Sequence, residues 1–213
     1  MQKFRLIIRD SCPVLLFLIA LILSIIVFDN MSAYAFTDDF STNTTGEYTV
    51  TDTWTAGGVG QFNYDSSNQR VEVLTGNDVS LQFSHALSAL DTGVFSIDFL
   101  PVVTYPNGGS FTIQLKQDAN NYYEVKNTDG YGPRAIKKVV GGVEVDSASF
   151  VGEYSQNTNF TIRVTFSPGS TTVEAFGEVL NMSTNGSTIT VSSFEVLTSQ
   201  QDAYYDNIEY STM

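Results

Sequence analysis

"QDAYYDNIEYS", residues 201–211, is the last strand-like stretch of a 213-residue chain. Its aromatic and aliphatic residues alternate with polar ones, as in a strand with one wet face. Asp206 and Asn207 interrupt that pattern. In an unbroken strand Tyr204, Asp206 and Ile208 share one face, and Tyr205, Asn207 and Glu209 the other. An ionised carboxylate beside buried tyrosine and isoleucine is costly without a partner. Two partners would suffice. Asp206 caps a turn or accepts from backbone amides near the sheet end, or it ligates calcium, a hard cation that takes about six to eight oxygens.

Working back from this stretch, short β-branched and aromatic runs recur, separated by Gly, Asn, Asp and Ser. They include "YTVTDTWT" (48–55), "RVEVLT" (70–75), "VSLQFSHAL" (79–87), "GVFSIDFLPVVTY" (93–105), "SFTIQLKQD" (110–118) and "NYYEVKN" (121–127). "AIKKVV" (135–140), "VEVDSASF" (143–150), "FTIRVTFS" (160–167), "TTVEAF" (171–176) and "STITVSSFEVLTS" (187–199) complete the set. Phe95, Ile97 and Phe99 share one face, as do Phe111, Ile113 and Leu115. Asn107-Gly108-Gly109, Gly141-Gly142 and Asn185-Gly186 supply residues that tolerate positive φ, and Pro168-Gly169 marks a tight hairpin. Short strands with frequent turns and no long amphipathic helix predict an antiparallel two-sheet β-sandwich.

The first 35 residues read as an export signal rather than as part of this fold. Lys3, Arg5 and Arg9 precede the apolar stretch "PVLLFLIALILSIIVF" (13–28), and Ala33-Tyr34-Ala35 offers a small-x-small cleavage pattern. The expected organisation is a signal-peptide helix over 1–35, with an uncleaved anchor as the alternative, and one domain over 36–213. The single cysteine, Cys12, falls in the leader, so no disulfide staples the domain. Removing the leader's three basic and two acidic residues leaves 7 Lys and Arg against 21 Asp and Glu, a net charge of −14. Such a surface argues against nucleic acid as a partner. It favours solubility outside the cell and attracts divalent cations. Membrane contact is expected only through an uncleaved leader.

Several motifs in order resemble the concanavalin A-like (laminin-G-like) jelly-roll superfamily. They are "FTDDFS" (36–41), "NYYEVKN" followed by "AIKKVVGG" (135–142), "FTIRVTFSPGSTTVEAFG" (160–177) and the closing "YYDNIEY" (204–210). The resemblance implies a jelly roll with its first and last strands paired. It also implies a structural calcium where they meet, with Asp38 or Asp39 and Asp206 as ligands. Superfamily members include lectins, glycan-binding modules, glycosidases, lyases and adhesion domains, and fold alone does not choose among them.

The residues argue against catalysis without settling it. The one histidine, His85, supports neither a nucleophilic triad nor a zinc site. Laminarinase-type members carry a Glu-x-Asp-x-(x)-Glu strand; "VEVDSAS" supplies Glu144 and Asp146, but Ala148 and Ser149 stand where the second glutamate belongs. Carbohydrate recognition needs exposed aromatics for stacking and polar groups for hydroxyls. Trp54, Tyr122, Tyr123 and Tyr131 are the candidates, with adjacent Tyr122 and Tyr123 necessarily on opposite faces. The leading expectation is an exported non-catalytic module that recognises carbohydrate or another extracellular component. A purely structural surface or adhesion protein is the alternative, and a divergent glycoside hydrolase stands third.

Overall fold

The computed structural model of the chain describes residues 34–53, 60–76, 79–104, 108–128, 134–152, 154–182 and 187–213. Tyr34–Met213 forms one compact unit. All but the last two residues of the expected leader therefore lie outside the described residues. Fifteen strands are described: β1 (Tyr34–Asp38), β2 (Thr49–Thr53), β3 (Gln61–Asp65), β4 (Arg70–Leu74), β5 (Ser80–Leu90), β6 (Gly93–Thr104), β7 (Ser110–Asp118) and β8 (Asn121–Thr128), then β9 (Ala135–Val140), β10 (Val143–Ser149), β11 (Phe160–Phe166), β12 (Thr171–Ala175), β13 (Glu178–Met182), β14 (Val191–Ser199) and β15 (Gln201–Ser211). One 3₁₀ turn, Thr45–Glu47, joins β1 to β2.

The strands form two antiparallel sheets. One has eight strands in the order β13-β12-β11-β6-β15-β4-β3, with β1 also on β15; the other runs β10-β9-β8-β7-β14-β5-β2. Their inner faces carry the expected alternating residues. Phe95, Ile97 and Phe99 of β6 and Phe111 and Ile113 of β7 are wholly buried. Aromatic rings join the layers, with centroids 4.5 Å apart for Phe99–Phe111 and 5.2 Å for Phe83–Tyr205. Burying this apolar surface is the main favourable term for a domain without disulfides. Gly141 and Gly142, at φ 59° and 78°, turn β9 into β10; positive φ at both positions defines the tight hairpin turn that glycine permits. The polar runs of β3 and β13 are strands that hydrophobic patterning did not single out.

First and last strands are neighbours: Phe36 pairs with Tyr210, Thr37 with Glu209 and Asp38 with Ile208. The orientation expected for Asp206 needs correction. Register between β15 and β6 shifts between Asp206 and Glu209, and Asn207 adopts φ 47°. The extra residue is a β-bulge, which reverses side-chain parity beyond it. Tyr205 therefore points inward before the bulge, and Ile208 and Tyr210 after it, all three wholly buried. Tyr204 and Asp206 face outward, so Asp206 does not sit between buried residues. Asn207 is the residue type that tolerates this left-handed turn best after glycine.

The Tyr48, Tyr205 and Tyr210 phenols each find a partner, whereas the buried Tyr123 hydroxyl has none among the described residues. The Tyr205 hydroxyl shares a 2.8 Å bond with Thr198 Oγ1. Tyr210 donates to the Val191 carbonyl at 3.0 Å, and Tyr48 to Asp38 Oδ2 at 2.8 Å.

Two predictions follow from these features of the fold. Asn207→Val should lower stability in urea by about 1–2 kcal/mol, the cost of a left-handed conformation to an ordinary L-residue. Asn207→Gly, which tolerates the bulge, should cost clearly less. An equal loss in both variants would show that the bulge conformation is not what Asn207 supplies. Burial first, and for Tyr48 the Asp38 carboxylate next, raises the Tyr48, Tyr205 and Tyr210 phenols above their ordinary value of 10.0. The unfolded chain then ionises these groups before the folded one does. Their contribution to stability is complete below about pH 10 and is lost as pH rises through the folded values. Absorbance at 295 nm should show a late set of phenols ionising together with loss of β-sheet ellipticity. Smooth titration of every tyrosine near pH 10 with the sheet intact would contradict this.

Candidate functional site

The outer face of the seven-stranded sheet is set by the alternation that fills the core. With Phe111, Ile113 and Leu115 inward, β7 presents Thr112, Gln114 and Lys116 outward. With Phe194 and Val196 inward, β14 presents Ser193, Glu195 and Leu197. Register aligns these side chains in rows. Glu124, Gln114, Glu195, Ser84 and Thr49 run across β8, β7, β14, β5 and β2. Tyr122, Lys116, Ser193 and Ala86 form the next row.

Two depressions adjoin on this face and share Glu195. The smaller, about 100 Å³, is lined by Gln82, Thr112, Gln114 and Leu197. The larger, about 370 Å³, is lined by Glu47, Thr49, Ser84, His85 and Ser193 among others. Lys116 Nζ holds Glu195 Oε1 at 2.7 Å, and Gln114 Nε2 donates to Glu124 Oε2 at 2.8 Å. Both pairs are half-buried, and each fixes one polar side chain with another. The trough thus offers pre-oriented amides, carboxylates and hydroxyls around one aliphatic side chain, Leu197. That chemistry suits a ligand with many hydroxyls and a small apolar face.

Of the aromatic candidates, Tyr122 lies on this outer face, half-buried. Tyr123 faces the core at 2% exposure, its ring 5.8 Å from Phe166. Trp54 and Tyr131 lie outside the described residues. The trough's own residues went unnoticed because polar outer positions of a strand look alike whether they meet solvent or ligand. The closest match to a glycosidase carboxylate pair, Glu144 and Asp146, sits on the exposed edge strand β10, where Glu144 lies 3.4 Å from Lys137 Nζ.

The three aspartates proposed for calcium take different tasks. Asp38 is 8% exposed and accepts from Phe40 N at 2.9 Å through Oδ1, and from Thr44 Oγ1 at 2.6 Å and Tyr48 OH at 2.8 Å through Oδ2. Exposed Asp39 accepts from Ser41 N at 3.0 Å, the bond that chiefly lowers its carboxyl pKa. Asp206 Oδ1 accepts from its neighbour's amide, Asn207 N, at 2.8 Å. Burial raises its carboxyl; the amide bond opposes this, while the charges of Asp98 and Asp39 add to it. Among the described residues no group of three or more His, Cys, Asp or Glu is placed to hold a metal ion. Three protein donors already engage the Asp38 oxygens.

No protein-family model matches the chain, and no curated protein matches it in sequence. Solved structures do match in shape. A carbohydrate-binding module, CBM66 from Bacillus subtilis, superposes at TM-score 0.55 with 9% identity, over 78% of this chain and 96% of that one. The CBM2 module of the evolved Dit protein of Lactobacillus casei BL23 phage J-1 gives TM-score 0.61 and 12% identity, over 84% and 94%. A Bacillus licheniformis β-glucanase gives 0.58 and 13%, over 86% and 100%. At such low identity the likeness concerns architecture alone. The chain thus has the two-sheet jelly-roll fold that these solved structures share.

Proposed function

We propose that this chain is an exported carbohydrate-binding module that holds its glycan in the trough across β7, β14, β5 and β2. The observation that carries this reading is the Glu195 trough. Its polar side chains are braced by one another before any ligand arrives, which reduces the ordering cost of binding. Gln114 and Gln82 offer amides that both donate and accept, Glu195 accepts from sugar hydroxyls, and Leu197 meets the apolar edge of a ring. Tyr122 stands one row away, where it would contact a longer chain. Two of the shape-matched structures are themselves named as carbohydrate-binding modules, which supports the ligand class. Export rests on the leader read from residues 1–35, and a non-catalytic role on the incomplete "VEVDSAS" match. Calcium rests on the resemblance of the first and last strands' motifs, with Asp38 also held by three protein donors.

A glycan array probed with the full chain, in calcium and in EDTA, tests the proposal. Binding to a defined glycan class is expected in both conditions. Gln114→Ala and Glu195→Gln should each weaken it at least tenfold, about 1.4 kcal/mol, without changing the far-ultraviolet spectrum. An array without hits would remove the function, and unaltered affinity in both variants would remove the trough. A melting temperature lowered by EDTA would restore calcium as a structural ligand.

A further inference from the structure

The outer face of the eight-stranded sheet carries a second built depression of about 250 Å³. Register places Asp98 of β6 opposite Asp206 of β15, and Leu100 opposite Tyr204. The Arg70 guanidinium lies 3.4 Å from the Tyr204 ring centroid. Both members of that stack are fastened: Arg70 Nε to Asp65 Oδ2 at 3.1 Å, and Tyr204 OH to Glu72 Oε1 at 3.0 Å. Asn68, on the turn before β4, and exposed Asn159, just before β11, line the depression, and Leu100 supplies an apolar patch.

The carboxylate pair is the informative feature. Like charges directly opposite across two strands are destabilising. Asp98 is oriented by Thr161 Oγ1 at 2.6 Å and Asn207 Nδ2 at 2.9 Å. Among the described residues Asp206 is bonded to its neighbour's amide alone, and it is disfavoured as an anion by burial and by Asp98. Arg70, already paired with Asp65, offsets this only in part. A group that donates hydrogen bonds to both carboxylates would relieve the pair. At this size the depression falls below the range of about 300–1,000 Å³ for pockets that take a drug-sized ligand, which suits one sugar ring rather than a chain.

We propose that this depression is a second saccharide subsite, taking one sugar residue whose adjacent hydroxyls donate to Asp98 and Asp206 while its ring rests against the Arg70–Tyr204 stack and Leu100. The ligand class rests on the function proposed above; the location does not. Asn68 and Asn159 contribute amides to the remaining hydroxyls. With a site on each outer face, one module bridges two glycan strands, and binding to a multivalent surface is strengthened by effective concentration rather than by new contacts.

Calorimetric titration of the full chain with methyl glycosides of glucose, galactose and mannose, in EDTA, tests this. Two sites per chain are expected for at least one glycoside. Asp206→Asn should weaken one of them tenfold or more and leave the other unchanged, and Gln114→Ala should do the converse. Asn159→Ala alters only an exposed rim residue, so a loss of the same site there cannot be a folding defect. A single site lost in Gln114→Ala and indifferent to Asp206→Asn overturns the second subsite and leaves the proposed function standing. A single site lost only in Asp206→Asn supports the subsite and removes the trough. Absence of any glycoside binding sinks both. If calcium chloride alone titrates the wild-type chain but not Asp206→Asn, and no glycoside competes with it, the aspartate pair belongs to a cation and the inference fails.

Discussion

One surplus residue in the last strand makes the sandwich close. β15 must pair with β6 along one side, with β4 and then β1 along the other, and keep large side chains in the core throughout its length. A regular strand could not place Tyr205, Ile208 and Tyr210 on the same face, because the first is separated from the others by odd spacings. The bulge at Asn207 supplies the missing half-period. It also turns Asp206 outward, away from the apolar core and beside Asp98. Core closure and the chemistry of the outer surface therefore depend on the same local backbone geometry.

That dependence explains what could be read from the chain and what could not. β6 and β7 follow strict alternation, and every inward residue expected there is buried. Gly141-Gly142 announced its hairpin because only a positive-φ turn matches the twist of the flanking strands. β3 and β13 carry too few apolar residues on one face for periodicity to register them. Asp206 was assigned to the wrong face because counting by twos assumes an unbroken ladder, and a bulge is decided by tertiary pairing. Asp38 accepts from Thr44, Tyr48 and Phe40 N, which only the folded turn brings together.

The binding surfaces were less legible still. Aromatic content directed attention to Trp54, Tyr122, Tyr123 and Tyr131, but the described depressions are built chiefly from amides, carboxylates and one cation. Gln114, Glu195 and Arg70 carry no local signature. Their significance comes from cross-strand neighbours distant in sequence: Lys116 reaches Glu195 across 79 positions, and Tyr204 reaches Glu72 across 132. On an antiparallel sheet, a recognition surface is a property of register, which composition does not contain.

The placement of β15 has a kinetic consequence as well. β15 fills the middle of one sheet, so that layer cannot be completed until this strand is in place. β4, β6 and β1 wait with open hydrogen-bonding edges for a partner about a hundred or more positions downstream. Folding with such distant pairings is slow, and the waiting chain is prone to wrong associations.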